Sequence, residues 1–310
     1  MYTPHQIAVA VPTYSRPDLL FRLTQTIPSS VKVFVSDNGG SMRASEQRFA
    51  DNVVISHADC LLPIFANWNR AVKLVNAEAT HLLIPSDDDL YLRDGFNHVE
   101  TALNAHPDAD IIIFGCDYVD EFDGRRKGYC PRQLESFSNA RGFLHFVYGV
   151  EARMPGVLFR RAFLDRIGAF DERFLLTAAD SELVQRALLL GKSVFVPEVI
   201  GLYRVWEGGL THSKQATDQW LGEIRVWTDK LIELMRQNDL TPQLRLDFNR
   251  YKDEILGRNM VAGVAGLLAR GEFEQARSFL NRHHTPAFAS LRTKVRLSLQ
   301  RYTAWKKRSS

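Results

Sequence analysis

Cysteine is scarce in this sequence: Cys60, Cys116 and Cys130 are the three in 310 residues, and they are widely spaced. That excludes a disulfide framework and fits reduced thiols in a cytosolic protein. Long apolar runs are missing too. The longest, such as Ile111–Phe114 and Ala187–Leu190, fall far short of the roughly 20 residues that a membrane-spanning helix needs. The opening MYTPHQIAVAVPTYSRP has no basic region ahead of a long apolar one, so it is not expected to act as a signal peptide. Neither GxGxxG nor GxxxxGK[ST] occurs, which disfavours a dinucleotide fold and a P-loop. Acidic residues stop at Glu274, while Arg277, Arg282, Arg292, Lys294, Arg296, Arg301, Lys306, Lys307 and Arg308 add nine positive charges beyond it. Without them 30 basic residues face 36 acidic ones, so a body of net charge −6 carries a basic tail. Such a tail points to an anionic partner. Its aromatics, Tyr302 and Trp305, are few, so lipid headgroups are expected there and not nucleic acid.

What is present starts with the stretch His81-Leu82-Leu83-Ile84-Pro85-Ser86-Asp87-Asp88-Asp89. A short apolar run ending in three carboxylates reads as a buried strand delivering acids to the carboxyl edge of a sheet, where open α/β folds bind ligands. Adjacent carboxylates repel, and a divalent cation is the simplest partner that keeps them ionised. An extended backbone would turn Asp87 and Asp89 to one face and Asp88 to the other. A solvated acidic turn before the next helix is the plainer alternative.

Around this stretch strands and helices alternate. Ile7–Val11, Val31–Val35, Val53–Ile55, Ile111–Cys116, Gly156–Phe159 and Lys192–Val196 read as strands. Helices are expected after Pro17, from about Asn67 to Ala77, over Gly95–Ala105 and Ala162–Ile167, and from Ala179 to Leu190. Ser15 with Asp18 has the form of a capping box, and Pro17 suits a first helical turn. The rhythm argues for a largely parallel sheet with right-handed crossovers. Asp117–Asn139 is polar and turn-rich, and reads as loop or hairpin. Ser36-Asp37-Asn38-Gly39-Gly40-Ser41 puts an acid at a strand end beside two glycines, where backbone can approach a ligand closely; an ordinary polar turn would look the same.

After Ser213 the pattern becomes helical, with Gln219–Met235, Leu244–Leu268 and Phe273–Asn281. This divides the chain into residues 1–213 and a helical region over 214–310. The last helix, Leu291 to Trp305, sets Leu291, Val295, Leu299 and Tyr302 near one stripe with Arg292, Lys294, Arg296 and Arg301 around it. Either it lies in a membrane interface, or it docks on the domain with a solvated basic face.

Four blocks together resemble the family 2 glycosyltransferases of the GT-A fold. Val11-Pro12-Thr13-Tyr14-Ser15-Arg16-Pro17 is similar to the opening PTYNR segment, with Ser15 in place of Asn. Val35–Ser41 is similar to the second-strand DDxS block, and Ser86–Leu90 to the DxD region. Phe170-Asp171-Glu172, followed by Ala179-Asp180-Ser181-Glu182-Leu183, looks like the FDE and ED-x-DL blocks that end at the catalytic base. The resemblance implies a mixed, mainly parallel sheet flanked by helices, with the C-terminal helical region outside it.

It also implies roles. Pro12, Thr13, Tyr14 and Arg16 belong to a nucleotide-sugar site, with Tyr14 against the base and Asp37 accepting the N3–H of uracil or thymine. Asn69 and Arg70 sit where relatives contact nucleotide or phosphate. Asp87 would bind the ribose, and Asp88 or Asp89 would hold Mg²⁺ or Mn²⁺ on the diphosphate. Asp180 would be the general base. Departures are Pro85 where many relatives have an acid, Ala179 for Glu, and Trp206 where His is common. His212, six residues on, is either a metal or phosphate ligand or a surface-loop histidine.

The expected protein is an inverting, metal-dependent transferase that moves sugar from a UDP- or dTDP-sugar to a hydroxyl of a glycan or lipid-linked acceptor. Bacterial surface polysaccharide synthesis at the inner face of a membrane suits the basic tail, and the helical region could supply a homodimer interface. The alternatives are an Asp-cluster nucleotidyl- or phosphotransferase, which leaves Asp180 unexplained, and a nucleotide-sugar-binding module without catalysis.

Overall fold

A computed structural model describes residues 6–138, 140–176, 178–206 and 214–306. The chain divides into two units. One comprises Met1–His145, Val150–Leu175 and Arg186–Trp206; the other Phe146–Gly149, Leu176–Gln185 and Glu207–Ser310.

The first unit is built on a mixed sheet. Its strands are β1 (Ile7–Thr13), β2 (Lys32–Asp37), β3 (Val53–His57), β4 (His81–Leu83), β5 (Leu90–Tyr91), β6 (Ile111–Val119), β7 (Arg125–Tyr129), β8 (Glu135–Phe137), β9 (Val157–Arg160) and β10 (Ser193–Arg204). The main order is β3-β2-β1-β4-β9-β6-β10-β5, with β7 on β6 and β8 on β10. β3, β2, β1 and β4 are parallel neighbours, as are β6 and β10. β9 runs antiparallel between β4 and β6, an inversion that apolar pattern alone does not register. β1 is buried along its whole length, as a central parallel strand covered on both faces should be.

Helices α1 (Pro17–Gln25), α2 (Ile64–Leu74), α3 (Gly95–Ala105) and α4 (Arg161–Ile167) connect these strands, and α5 (Ala178–Leu190) crosses the unit boundary. Leu20 and Leu23 of α1 join Val9, Val11, Val33, Val35, Phe96, Val99, Phe114 and Leu158 in one core. Two local expectations fail. The capping box does not form: Arg16 is the N-cap of α1 without a side-chain bond, and Ser15 sits at φ 54 with its N–H on Ser41 Oγ, 2.9 Å away. A tie across 26 residues overrides the local signal. The strand expected at Lys192–Val196 also runs on to Arg204. Pro197 and Gly201 interrupt the apolar pattern, while β10 absorbs the break as register shifts between Phe195 and Gly201.

The second unit holds the N-terminal half of α5 and the helices α6 (Asp218–Gln237), α7 (Thr241–Leu244), α8 (Phe248–Ala269), α9 (Phe273–Arg282) and α10 (Leu291–Lys306). The helix expected from Leu244 starts later. Arg245 is left-handed at φ 48, and Asp247 caps α8 by accepting from the Asn249 and Arg250 N–H groups at 2.9 and 3.1 Å. α10 is docked: Thr293, Leu297 and Ala304 are buried, and Gln300 donates to the Val261 carbonyl of α8 at 2.8 Å. No helix among the described residues is long and apolar enough to cross a membrane.

Candidate active site at the carboxyl edge of the sheet

Strand register sets the first side chains. Thr13 lies opposite Asp37, and Asp37 opposite His57, so the last residues of β1, β2 and β3 stand side by side. β4 ends at Leu83, and after buried Ile84 and Pro85 the chain turns sharply. The Asp89 N–H reaches the Ser86 carbonyl at 3.3 Å, and Asp89 Oδ2 accepts the Ser86 N–H at 2.9 Å. The other Asp89 oxygen accepts the Arg204 N–H at 3.2 Å. This closed turn replaces the expected extended segment, because an Asp side chain that bonds nearby backbone favours a turn over a strand. As a result Asp87 and Asp88 do not diverge. Both place an oxygen 3.2 Å from Arg16 Nη1, while Asp89 faces inward.

The electrostatics of this turn are unbalanced. Thr13 Oγ1 donates to Asp87 at 2.7 Å, and the Tyr14 N–H also serves it. Even so, burial and then the charge of Asp88 push the Asp87 carboxyl up to about 6. Burial, followed by Asp88, raises Asp89 as well, against the Ser86 and Arg204 N–H groups. Among the described residues, the guanidinium that faces Asp87 and Asp88 is that of Arg16, which lies partly in solvent and stacks 4.8 Å from the Trp206 ring. Arg204 gives the turn backbone contacts: its Nε donates to the Asp88 carbonyl at 3.0 Å and its Nη1 to the Asp120 carbonyl at 2.7 Å. Through Arg204 the β6–β7 turn is tied to the acid turn.

Asp37 is wholly buried. Ser41 Oγ donates to one oxygen at 2.8 Å; the Met42 N–H and His57 Nδ1 meet the other at 2.9 and 2.6 Å. Gly39 and Gly40, both at positive φ, let the chain double back far enough for these donors to reach it. His57 is held from its other ring nitrogen by Glu46. Tyr14 stands exposed at the end of β1, and Pro12 is buried within the strand.

Asn69 and Arg70 are engaged within the fold. Asn69 donates to the Phe170 carbonyl and to Glu172, each at 2.8 Å, and accepts the Phe170 N–H at 2.9 Å. Arg70 binds Ser36 Oγ, Ser56 Oγ and the Ser56 and His57 carbonyls at 2.7–2.9 Å, bracing the ends of β2 and β3. In the second unit Asp180 occupies the first turn of α5, where a carboxylate is favoured by the helix dipole. The Ser181 N–H lies 2.6 Å from its Oδ1. That half-helix is fixed by Glu182 on Lys230 and by Gln185, which accepts from Trp227 Nε1 and the Tyr251 hydroxyl at 3.0 and 3.1 Å. His212 lies outside the described residues.

Solved structures share this architecture. TarS of S. aureus, residues 1–349 with UDP-GlcNAc, superposes with a TM-score of 0.64 at 16% identity, over 98% of this chain and 92% of that one. Its complex with UDP gives 0.60 at 13% identity, over 98% and 91%. The mannosyltransferase PcManGT from Pyrobaculum calidifontis, with GDP-Man and Mn²⁺, gives 0.53 at 17%, over 97% and 86%. The fold is GT-A. No protein-family model and no curated protein matches the sequence.

Within the GT-A frame, Thr13, Arg16, Asp37, Asp87, Asp88 and Asp89 share one sheet edge. His57, Ser41, Glu46 and the backbone role of Arg204 were not visible in the sequence as site residues. His57 alone had a usable signal, a polar residue closing a strand next to the one that Asp37 closes. Among the described residues no three His, Cys, Asp or Glu side chains form a metal cage. The hard carboxylate oxygens of Asp87 and Asp88 nonetheless fit a Mg²⁺- or Mn²⁺-type ion, which commonly takes one or two carboxylates and draws its remaining ligands from phosphates and water.

Proposed function

We propose that this protein is an inverting, metal-dependent glycosyltransferase. It takes a sugar from a UDP- or dTDP-sugar to a hydroxyl of a glycan or lipid-linked acceptor, in bacterial surface polysaccharide synthesis on the cytoplasmic side. The observation that carries this reading is the buried acid turn of Asp87–Asp89, which has more negative charge than Arg16 neutralises, at the ligand-binding edge of a GT-A sheet. The likeness to proteins solved with UDP-GlcNAc, UDP and GDP-Man supports a nucleotide-sugar donor.

In this reading the base rests on Tyr14, with Asp37 accepting N3–H through a lone pair left over from its internal bonds. Arg70 braces the ends of β2 and β3 behind it, and Asn69 holds the Phe170–Glu172 segment. Asp87 takes the ribose. Asp88 is the carboxylate that binds the metal, since Asp89 already spends both oxygens on backbone N–H groups. A bound Mg²⁺ or Mn²⁺ would offset charge on the departing diphosphate. Arg16 lies beside Asp88 to screen the same charge. Asp180, assigned through its place in the family motif, accepts the proton of the acceptor hydroxyl. That oxygen bonds to the anomeric carbon from the face opposite the diphosphate; the carbon–oxygen bond to the diphosphate breaks and its electron pair leaves with the phosphate.

Calorimetric titration with UDP, dTDP and GDP, with and without Mn²⁺, tests the donor half. Metal-dependent binding of one diphosphate by the parent, lost in Asp88→Ala, is the expected result. Asp180→Ala should bind as the parent does and transfer nothing. Failure of every nucleotide to bind with metal present would return the Asp turn to a purely structural role.

A further inference from the structure

The second unit leaves one long face uncovered. α10 is anchored through Thr293, Leu297 and Ala304, with Arg277 Nη1 donating to the Ala304 carbonyl at 2.7 Å. On the opposite side Leu291, Val295, Leu299, Tyr302 and Trp305 are 77, 48, 60, 64 and 49% exposed. At about 100° per residue these five fall in one stripe along the whole helix. The same spacing puts Lys294 and Arg301 on one flank and Arg292 and Arg296 on the other, with Lys306 at the end of the stripe itself. Lys294 Nζ and Arg301 Nη2 fold back onto the Ala287 and Leu280 carbonyls at 2.7 and 3.0 Å, which pins two charges beside the stripe. No acidic residue occurs in α10. Docking on the protein needs only the buried face, so the apolar stripe answers to something else.

We propose that this face docks the protein on an anionic phospholipid bilayer. The aliphatic side chains enter the boundary between headgroups and acyl chains, Tyr302 and Trp305 lie at headgroup level, and the flanking Arg and Lys pair with headgroup phosphates. Charge decides among occupants. In a second copy, pairing stripe to stripe would bring two rows of Arg and Lys together with no acid in either helix to offset them. A nucleic acid would need stacking rings along a basic groove, and this stripe is mostly Leu and Val. Of the two expectations for the helix, docking is observed on its buried face, and the interfacial role is what is proposed for its exposed one. The inference stands apart from the transferase reading, because it requires no nucleotide.

Co-sedimentation of the full chain with lipid vesicles tests it. Vesicles of phosphatidylcholine with roughly a third phosphatidylglycerol should bind at least tenfold more tightly than phosphatidylcholine alone, and salt should weaken the binding. The double variant Leu299→Glu/Tyr302→Glu should lose that binding about tenfold or more. Arg292→Glu/Arg296→Glu should lose the preference for the anionic vesicles. All four positions are exposed, so circular dichroism and melting should match the parent. Equal binding to both vesicle types, binding to neither, or stripe variants that sediment like the parent would overturn the proposal. So would a concentration-dependent dimer, dissolved by Leu299→Glu, in a protein that ignores vesicles, or capture of duplex DNA in place of lipid.

Discussion

Glu254 in the helical unit and Asp87 in the sheet unit are both buried acids, and the protein treats them in opposite ways. Burial works against the charge of Glu254, yet the Ser290 N–H at 2.7 Å, Arg258 at 2.9 Å, the Thr293 hydroxyl at 3.0 Å and the Ser290 hydroxyl at 3.1 Å outweigh it. Its carboxyl ends below the usual range. Asp87 has a hydroxyl, an N–H and half of one arginine, and shares that arginine with Asp88; its carboxyl ends above the range. Glu254, with four donors from the chain, is finished architecture. Asp87, left short of donors, is open to a charge from outside, and perturbed carboxylates of this kind gather at functional sites.

The sharpest way to test that contrast is to remove charge at each place. Asp88→Asn should abolish metal-dependent nucleotide binding, a loss of at least about a hundredfold by calorimetry. The same variant, stripped of metal, should melt no lower than the parent and up to a few degrees higher, because a like charge beside Asp87 and Asp89 is gone. A clear fall in melting temperature would mean that the acid turn is as settled as Glu254, and the comparison would break.

A pH titration sharpens it from the other end of the strand that leads into the turn. Burial, then the Arg160 charge, pushes the His81 imidazole down to about 4 from 6.5. Above pH 6.5 folded and unfolded chains both hold it neutral. Between 6.5 and 4 the unfolded chain takes the proton and the folded one does not, so stability falls as the pH drops through that window. The full loss is about 3 kcal/mol. Urea unfolding at several pH values should show that slope, and His81→Gln should flatten it. Glu254 contributes with a later onset: its support is present above the unfolded carboxyl pKa near 4.5 and is lost as the pH falls below it.

Glu254→Ala takes away the acceptor for the Ser290 N–H, two hydroxyls and Arg258. It should cost about 2 kcal/mol in urea unfolding while nucleotide binding is unchanged. An effect on binding comparable to that of Asp88→Asn would contradict the division of labour drawn between the two acids.

Legibility followed sequence distance. The run of acids, the two glycines after Asp37 and most helices show in runs of adjacent residues, where identity and spacing carry the signal. What binds those pieces together is non-local. His57 reaches Asp37 across 20 positions, and Arg204 reaches Asp88 across 116, so neither role has a local signature. The inverted strand β9 has the same apolar look as its parallel neighbours, since both faces are covered whichever way it runs. The direction of α10 was legible as an amphipathic pattern, but which face would be covered depended on Thr293 meeting Glu254 from 39 residues away.

The smallest expected effect concerns the place where a local rule gave way. Ser15 is held at φ 54, a left-handed conformation that costs a residue with a Cβ about 1 kcal/mol. The bond from its N–H to Ser41 Oγ, which in turn donates to Asp37, keeps it there. The strain therefore supports the Asp37 setting and not the start of α1. Ser15→Gly should relieve it, and the added freedom of the unfolded chain should offset part of the gain, for a net change within about 0.5 kcal/mol. Ser15→Ala keeps the strain and the backbone bond, and should match the parent. Ser41→Ala removes the acceptor itself and should destabilise by about 1 kcal/mol, with weaker nucleotide binding if Asp37 reads the base. Should Ser15→Ala instead cost as much as Ser41→Ala, the Ser15 hydroxyl would be the cap that the sequence pattern implied, and the long-range tie would be incidental.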